Sequence, residues 1–134
     1  MSITNIREGL ETNLRTITGL RAYSEIPDNP SFPAGIVTLS SIDYDQAFQR
    51  GLTTYNFTVS VVVGRASERS AQNSLNAYAS NTGDSSIKSA IESDKTLSGS
   101  AFDVRVVSMT GIGAVELNGT TYIGMDFSVT VYAN

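Results

Sequence analysis

The sequence predicts an α+β fold: one mostly antiparallel four-stranded sheet with helices packed on one face, in the order α-β-β-α-α-β-β. Three observations lead there. Apolar residues recur at three- and four-residue intervals from Ile3 to Ile17, the period of an amphipathic helix. Tyr55, Phe57, Val59, Val61 and Val63 alternate with Thr54, Asn56, Thr58 and Ser60, the period of a half-buried strand. Near the C-terminal end, two further apolar-rich segments flank Asn118-Gly119, a pair that tolerates φ > 0 at both positions and so favours a type I′ hairpin turn.

Taken in order, Ile3, Ile6, Leu10, Leu14 and Ile17 form one stripe of the first helix, with Arg7, Glu8, Glu11, Asn13 and Arg15 assigned to the opposite face. Gly19 is placed to end it, and Gly9 in its middle implies a close neighbour, since glycine there costs ~1 kcal/mol relative to alanine. All three prolines, Pro27, Pro30 and Pro33, fall in one connector, which is expected to be irregular. Ile36, Val37, Leu39 and Ile42 make a first strand. Residues 41–51 show no clean period and are read as a long hairpin arm or loop.

The second strand carries Tyr55, Phe57, Val59, Val61 and Val63 on one face and ends at Gly64. A short helix with Ser67 as its cap follows, with Ala71, Leu75 and Tyr78 on one side. A second places Ile87, Ala90 and Ile91 together and ends near Leu97 and Gly99, with Asp84 or Ser85 as its expected cap. Phe102, Val104, Val106 and Val107 open the final hairpin, and Ile123, Met125, Phe127, Val129 and Val131 close it. Tyr122, Asp126, Ser128, Thr130 and Tyr132 point the other way. Pairing Leu117 with Thr120 would set Val106 opposite Val131. Val107 and Met109 have the opposite phase to Val104 and Val106, which a β-bulge near Gly111 and Gly113 would reconcile. A sheet whose apolar face is covered by the helices satisfies every amphipathic element, and residues 1–134 are expected to form one domain.

The composition withholds most catalytic chemistry. The 134 residues include no histidine, cysteine or tryptophan, so Ser-His-Asp triads, Cys-His dyads and the usual zinc sites cannot be assembled. A net charge of −4 with no run of lysine or arginine argues against tight binding to DNA or to an anionic membrane. No apolar stretch approaches ~18 residues, and the first residues lack the layout of a signal peptide. No catalytic residue, cofactor or metal is expected, and the chain is not read as an enzyme.

Individual motifs give the same answer. Asp43 and Asp45 flank Tyr44 but lack the ligand pattern of a calcium loop, and read as solvated acids. Gly111-Ile112-Gly113 has Glu116 where a dinucleotide fingerprint needs glycine, and it precedes a strand rather than a helix. Gly83-Asp84-Ser85-Ser86 reads as helix capping rather than an anion cradle. Tyr55, Phe57, Tyr122 and Tyr132 lack the basic neighbours of a nucleic-acid stacking platform, and read as core and subunit contacts. The arm bearing Asp43, Tyr44, Asp45, Phe48, Gln49 and Arg50 mixes aromatic, acidic and guanidinium groups, the composition of a contact surface.

As an ordered set, these segments resemble the tail terminator proteins of long-tailed bacteriophages. The resemblance runs through Ile6-Arg7-Glu8-Gly9-Leu10, Leu14 to Tyr23, Pro27-Asp28, Phe32-Pro33-Ala34, Val62 to Gln72, Ser85 to Glu92, and Tyr122 to Tyr132. It implies a structural virion protein: a homo-oligomer, usually a hexamer, that caps the head-proximal end of the tail tube. Such a ring ends tube polymerisation and offers a surface to the neck or connector protein. It is assembled in the host cytoplasm, lets DNA pass without specific binding, and has no membrane partner. The family supplies no catalytic residues. The six residues of the arm, Asp43 to Asp45 and Phe48 to Arg50, are candidates for the subunit or tube interface. Asp126, Asp43 and Glu116 are candidates for a polar, neutral-to-negative ring lumen. Another head-tail connector protein (a head-closure or tail-completion subunit) and a small-molecule-binding α+β domain remain as alternatives. An enzyme would gather acids of raised pKa in a pocket, whereas a ring subunit would expose apolar groups on two opposite flanks.

Overall fold

A computed structural model describes residues 3–17, 20–23, 33–44, 53–65, 73, 76–80, 83, 85–97, 99–117 and 120–133. Helix α1 (Ile3–Leu14) turns its stripe inward: Ile6, Leu10 and Leu14 are fully buried, and Ile17 follows them in the turn beyond the helix. The helix stops at Leu14, before the expected Gly19, which lies outside the described residues together with the expected Ser67 cap, Asp84 and the Asn118-Gly119 turn. Asn13, assigned by its polarity to the solvent side, is buried. Its Nδ2 donates to the carbonyls of Ile91 at 2.8 Å and Asp94 at 3.1 Å.

Four strands were expected, and five form among the described residues. They are β1 (Arg21–Tyr23), β2 (Ala34–Asp43), β3 (Thr53–Arg65), β4 (Asp103–Leu117) and β5 (Thr120–Ala133), in the spatial order β1-β2-β3-β5-β4. The sheet is mixed, because β1 runs parallel to β2. The expected architecture, a four-stranded mostly antiparallel sheet with helices packed on one face, is therefore corrected to a larger mixed sheet that dominates the chain. Two physical reasons account for the difference. A three-residue strand has no period to read, and β1 is fixed by distant pairing, with Arg21 N–H donating to Pro33 C=O at 3.0 Å. The hairpin strands also run to 15 and 14 residues, whereas α2 (Ile87–Ile91) has only five. Ser86, rather than Asp84 or Ser85, caps α2, its Oγ accepting from Ser89 N–H at 3.2 Å.

One sheet face carries Val37, Phe57, Val59, Val61, Val104, Met125, Phe127, Val129 and Val131, and joins Ile6, Leu10, Leu14, Ile87, Ile91 and Leu97 in a single core. At ~25 cal/mol per Å² of apolar surface removed from water, this cluster is the dominant favourable contribution to folding. Single-residue bulges keep the face continuous. Ser40 has no partner between Leu39↔Phe57 and Ser41↔Asn56, so Leu39 and Ile42 both reach the core. Val107 does the same between Val106↔Val129 and Ser108↔Ser128, returning Met109 inward and leaving Val107 itself exposed. The expected bulge at the glycines also exists, between Thr110 and Gly113, with Gly111 at φ +70°. Together the two displace the hairpin register by two residues. Leu117 does pair with Thr120, but Val106 meets Val129, and Val131 meets Val104.

Candidate functional site

Lys88, Glu92, Lys95 and Arg105 gather at the outer edge of β4. Lys88 of α2 and Glu92, four residues on, pair at 2.6 Å, and the same Glu92 Oε2 accepts from the backbone N–H of Val106 at 3.0 Å. Partial burial pushes the Glu92 carboxyl up. The hydrogen bonds from Lys88 and Val106 and the charges of Lys88 and Lys95 outweigh it, so the net shift is downward. Lys88, Glu92, Lys95, Arg105, Val106 and Val107 line a cleft of about 220 Å³. A neighbouring cleft of about 240 Å³ shares Lys88, Val106 and Val107 and reaches Met109 and Phe127. Lys88, Lys95 and Arg105 are matched by Glu92 and by the neighbouring Asp94 and Asp103, so the edge carries mixed charge without a net excess. Val107, 66% exposed, adds an apolar contact there, and Phe102 is exposed on the same flank.

The opposite sheet face is polar and internally hydrogen-bonded. Asn56 donates to Ser41 Oγ and to Asp43 Oδ2, each at 3.0 Å, and accepts from Thr130. Ser40 and Thr58 are linked at 2.6 Å, and Ser60 donates to Asp126 Oδ1 at 2.8 Å. Hydroxyl and amide groups tied to one another in this way form a wettable surface with few free hydrophobic groups. Its side chains include Asp43, Asp103 and Asp126 against Arg21 and Arg105. Ala34, Ile36 and Val62 are buried at its β1 end.

Of the residues singled out from sequence, Asp43 ends β2 and Tyr44 follows it, 68% exposed. Asp45, Phe48, Gln49 and Arg50 lie outside the described residues. Asp43 and Asp126 share the polar face, but their β3 partners are Thr54 and Ser60. That separation is about 20 Å at ~3.3 Å per residue. Glu116 pairs with Thr121, and strand alternation puts it on the other face. The three candidate lumen acids thus do not converge. Among the described residues no group of acids has metal-ligand geometry, and no helix is long and apolar enough to cross a membrane.

No known protein family matches the chain, and no curated protein is similar to it.

The charges on the β4 edge were missed in the sequence because Lys88, Glu92, Lys95 and Arg105 come from two elements that only the fold brings together. The Lys88–Glu92 spacing was a readable signal, as i,i+4 partners on a helix face each other. Nothing in the local pattern marked Arg105 as their neighbour.

Proposed function

We propose that the chain is a structural ring subunit of the tail terminator kind: a homo-oligomer, in the hexameric form the resemblance implies, that closes the head-proximal end of a phage tail tube and joins it to the neck. Its place is the virion, with the tube protein and a neck protein as partners. The observation that carries the reading is where the large exposed apolar side chains fall. Phe102 and Val107 mark the β4 flank, and Tyr44 follows β2 on the other side of the sheet. A head-to-tail ring joins two different flanks of each copy, and each of these flanks carries an exposed apolar side chain.

The polar sheet face supports the same reading. Lining a channel with hydroxyls and amides tied to one another lets DNA slide, because tight binding needs lysine and arginine on phosphates. Asp126 belongs to such a lining in this proposal, and Glu116 does not. The test is light scattering with negative-stain electron microscopy on the purified protein, alone and with tail tubes. A closed ring with a central hole, seated on one tube end, is expected. A monomer at every concentration that leaves tube ends bare would overturn the proposal.

A further inference from the structure

Among the described residues, Arg7 holds a guanidinium that the fold leaves unsatisfied. Assigned with Glu8 and Glu11 to the outer face of α1, it is instead half-buried, and its Nε is buried with no hydrogen-bond partner. The acid within reach on its own helix is Glu11, four residues on. Glu11 pairs with Arg15 instead, in the order, acid before cation, that helices favour at this spacing. A buried N–H without an acceptor costs stability, and native proteins keep few of them. Arginine offers five donors in a planar fork that fits a carboxylate. Part of the Arg7 side chain remains open to solvent, so an acceptor can arrive from outside the chain.

We infer that Arg7 anchors the junction between neighbouring copies and takes the carboxylate of Glu116 from the next copy. The inference rests on the ring reading and supplies its contact. Glu8, Asp103 and Glu116 are the acids whose carboxylates have neither an ion pair nor a hydrogen bond among the described residues. Glu8 adjoins Arg7 on the same helix, so a Glu8–Arg7 contact between copies would join like with like and close at two. Asp103 has Arg105 two residues along on the same sheet face, about 7 Å away. Glu116 is exposed, faces Thr121 across the hairpin and has Ala114 two residues before it, so neither of these neighbours compensates its charge. The placement of the two groups agrees. Helix α1 packs on β1 and β2 at one side of the sheet, whereas Glu116 lies on β4, outermost at the other. Both stand on the helix side of the sheet. Copies set side by side bring the β4–β5 hairpin of one to α1 of the next, and a repeated contact between two different patches closes as a ring when the rotation divides the circle. DNA phosphate is the other anion of the proposed assembly, but α1 lies on the side of the sheet away from the polar face assigned to the channel.

The experiment takes Arg7→Leu and Glu116→Gln, alone and combined. Light scattering over a range of concentrations, with and without tail tubes, reads assembly, and urea titration reads the stability of the unassembled subunit. Each single variant is expected to raise the concentration needed for assembly by about tenfold or more. The double variant is expected to be no worse than either single, since both act through one contact. The urea midpoint of Arg7→Leu should stay level or rise, because an unsatisfied donor is removed. Arg7→Lys keeps the charge but loses the fork, and should retain only part of the assembly. Assembly unchanged in either folded single variant, or losses that add in the double, would overturn this contact while leaving the ring reading intact. So would a lower urea midpoint for Arg7→Leu, which would make Arg7 a packing residue of α1. Glu116→Gln, exposed and nearly isosteric, decides the matter by itself if Arg7→Leu does not fold. A wild-type protein that is monomeric in solution and absent from tube ends would remove both.

Discussion

Glu92 and the backbone of Val106 are joined by a 3.0 Å hydrogen bond, so a carboxylate at the end of α2 takes up an amide of the edge strand β4. The same oxygen holds Lys88 Nζ at 2.6 Å. One side chain thereby ties helix to strand and blocks part of the sheet edge.

The pH dependence of that tie follows from its direction of shift. The folded Glu92 carboxyl lies below its ordinary value of 4.5, so it is the ionised form that folding favours. Its stabilisation is complete above the unfolded value and is lost as pH falls through the lower folded one. Glu92→Gln is expected to cost on the order of 1 kcal/mol at neutral pH, since a charge-assisted hydrogen bond becomes a neutral one. The difference in thermal stability between wild type and variant should shrink as pH falls below the ordinary carboxylate value and through the lower folded one. A gap that stays constant into acid would contradict the assignment.

Gly9 and Leu97 make the second tie. A Cβ at Gly9 would stand 2.7 Å from Leu97 Cβ, inside any nonbonded carbon contact, and Leu97 itself has φ +49°. Gly9→Ala should therefore destabilise the protein by about 1–3 kcal/mol, despite alanine's better helix propensity. In a Leu97→Gly background the obstruction is gone, and the same substitution should stabilise by roughly 0.5–1 kcal/mol. Denaturant titrations of the four proteins measure the change of sign.

How much was legible in the sequence depended on whether a feature was local. The stripe Ile6-Leu10-Leu14 and the alternation of Tyr55, Phe57, Val59 and Val61 were readable because each repeats a period within one element, and the Leu117↔Thr120 pairing because Asn118-Gly119 between them signals a two-residue turn. The close neighbour expected at Gly9 is Leu97. Three-residue β1 was not readable, nor was the solvent-side assignment of Asn13 correct, because both are decided by residues remote in the chain. The phase conflict at Val107 and Met109 was visible, but its resolution at Val107 rather than at the glycines depends on which residue the β5 partner leaves unpaired. Of the candidate site, Asp43, Tyr44 and Asp126 lie on exposed surface, whereas the charged residues at the β4 edge became neighbours only through the fold.

Asn13 yields a prediction that separates hydrogen bonding from volume. Its amide donates to Ile91 and Asp94 carbonyls at the end of α2, fixing α1 against that turn. Asn13→Ala should cost about 1–3 kcal/mol through lost donors. Asn13→Asp is nearly isosteric, yet it should cost more, because an acceptor-only carboxylate would face two carbonyl oxygens in a buried site. Urea midpoints for the two variants give the order directly. Aspartate milder than alanine would show that the contact matters for packing alone.

The bulge at Val107 can be tested by deleting it. Val104, Arg105, Val106, Ser108, Met109 and Thr110 alternate without interruption between the core face and the polar face, and their β5 partners run consecutively once Val107 is passed. Removing Val107 should therefore leave every inward residue inward, at a cost below about 1 kcal/mol, since the deleted side chain is 66% exposed. Removing Ser128 should be far worse, because it lies in the regular ladder of β5, paired with Thr58 on one side and Ser108 on the other, and its loss turns part of the strand over. Denaturation of the two deletions separates these cases. The Val107 deletion also straightens an edge that the bulge now interrupts, and straight edges pair indiscriminately. Turbidity at equal concentration should rise above wild type although the fold is retained. A Val107 deletion as damaging as the Ser128 deletion would show that the bulge holds the fold together rather than interrupting its edge.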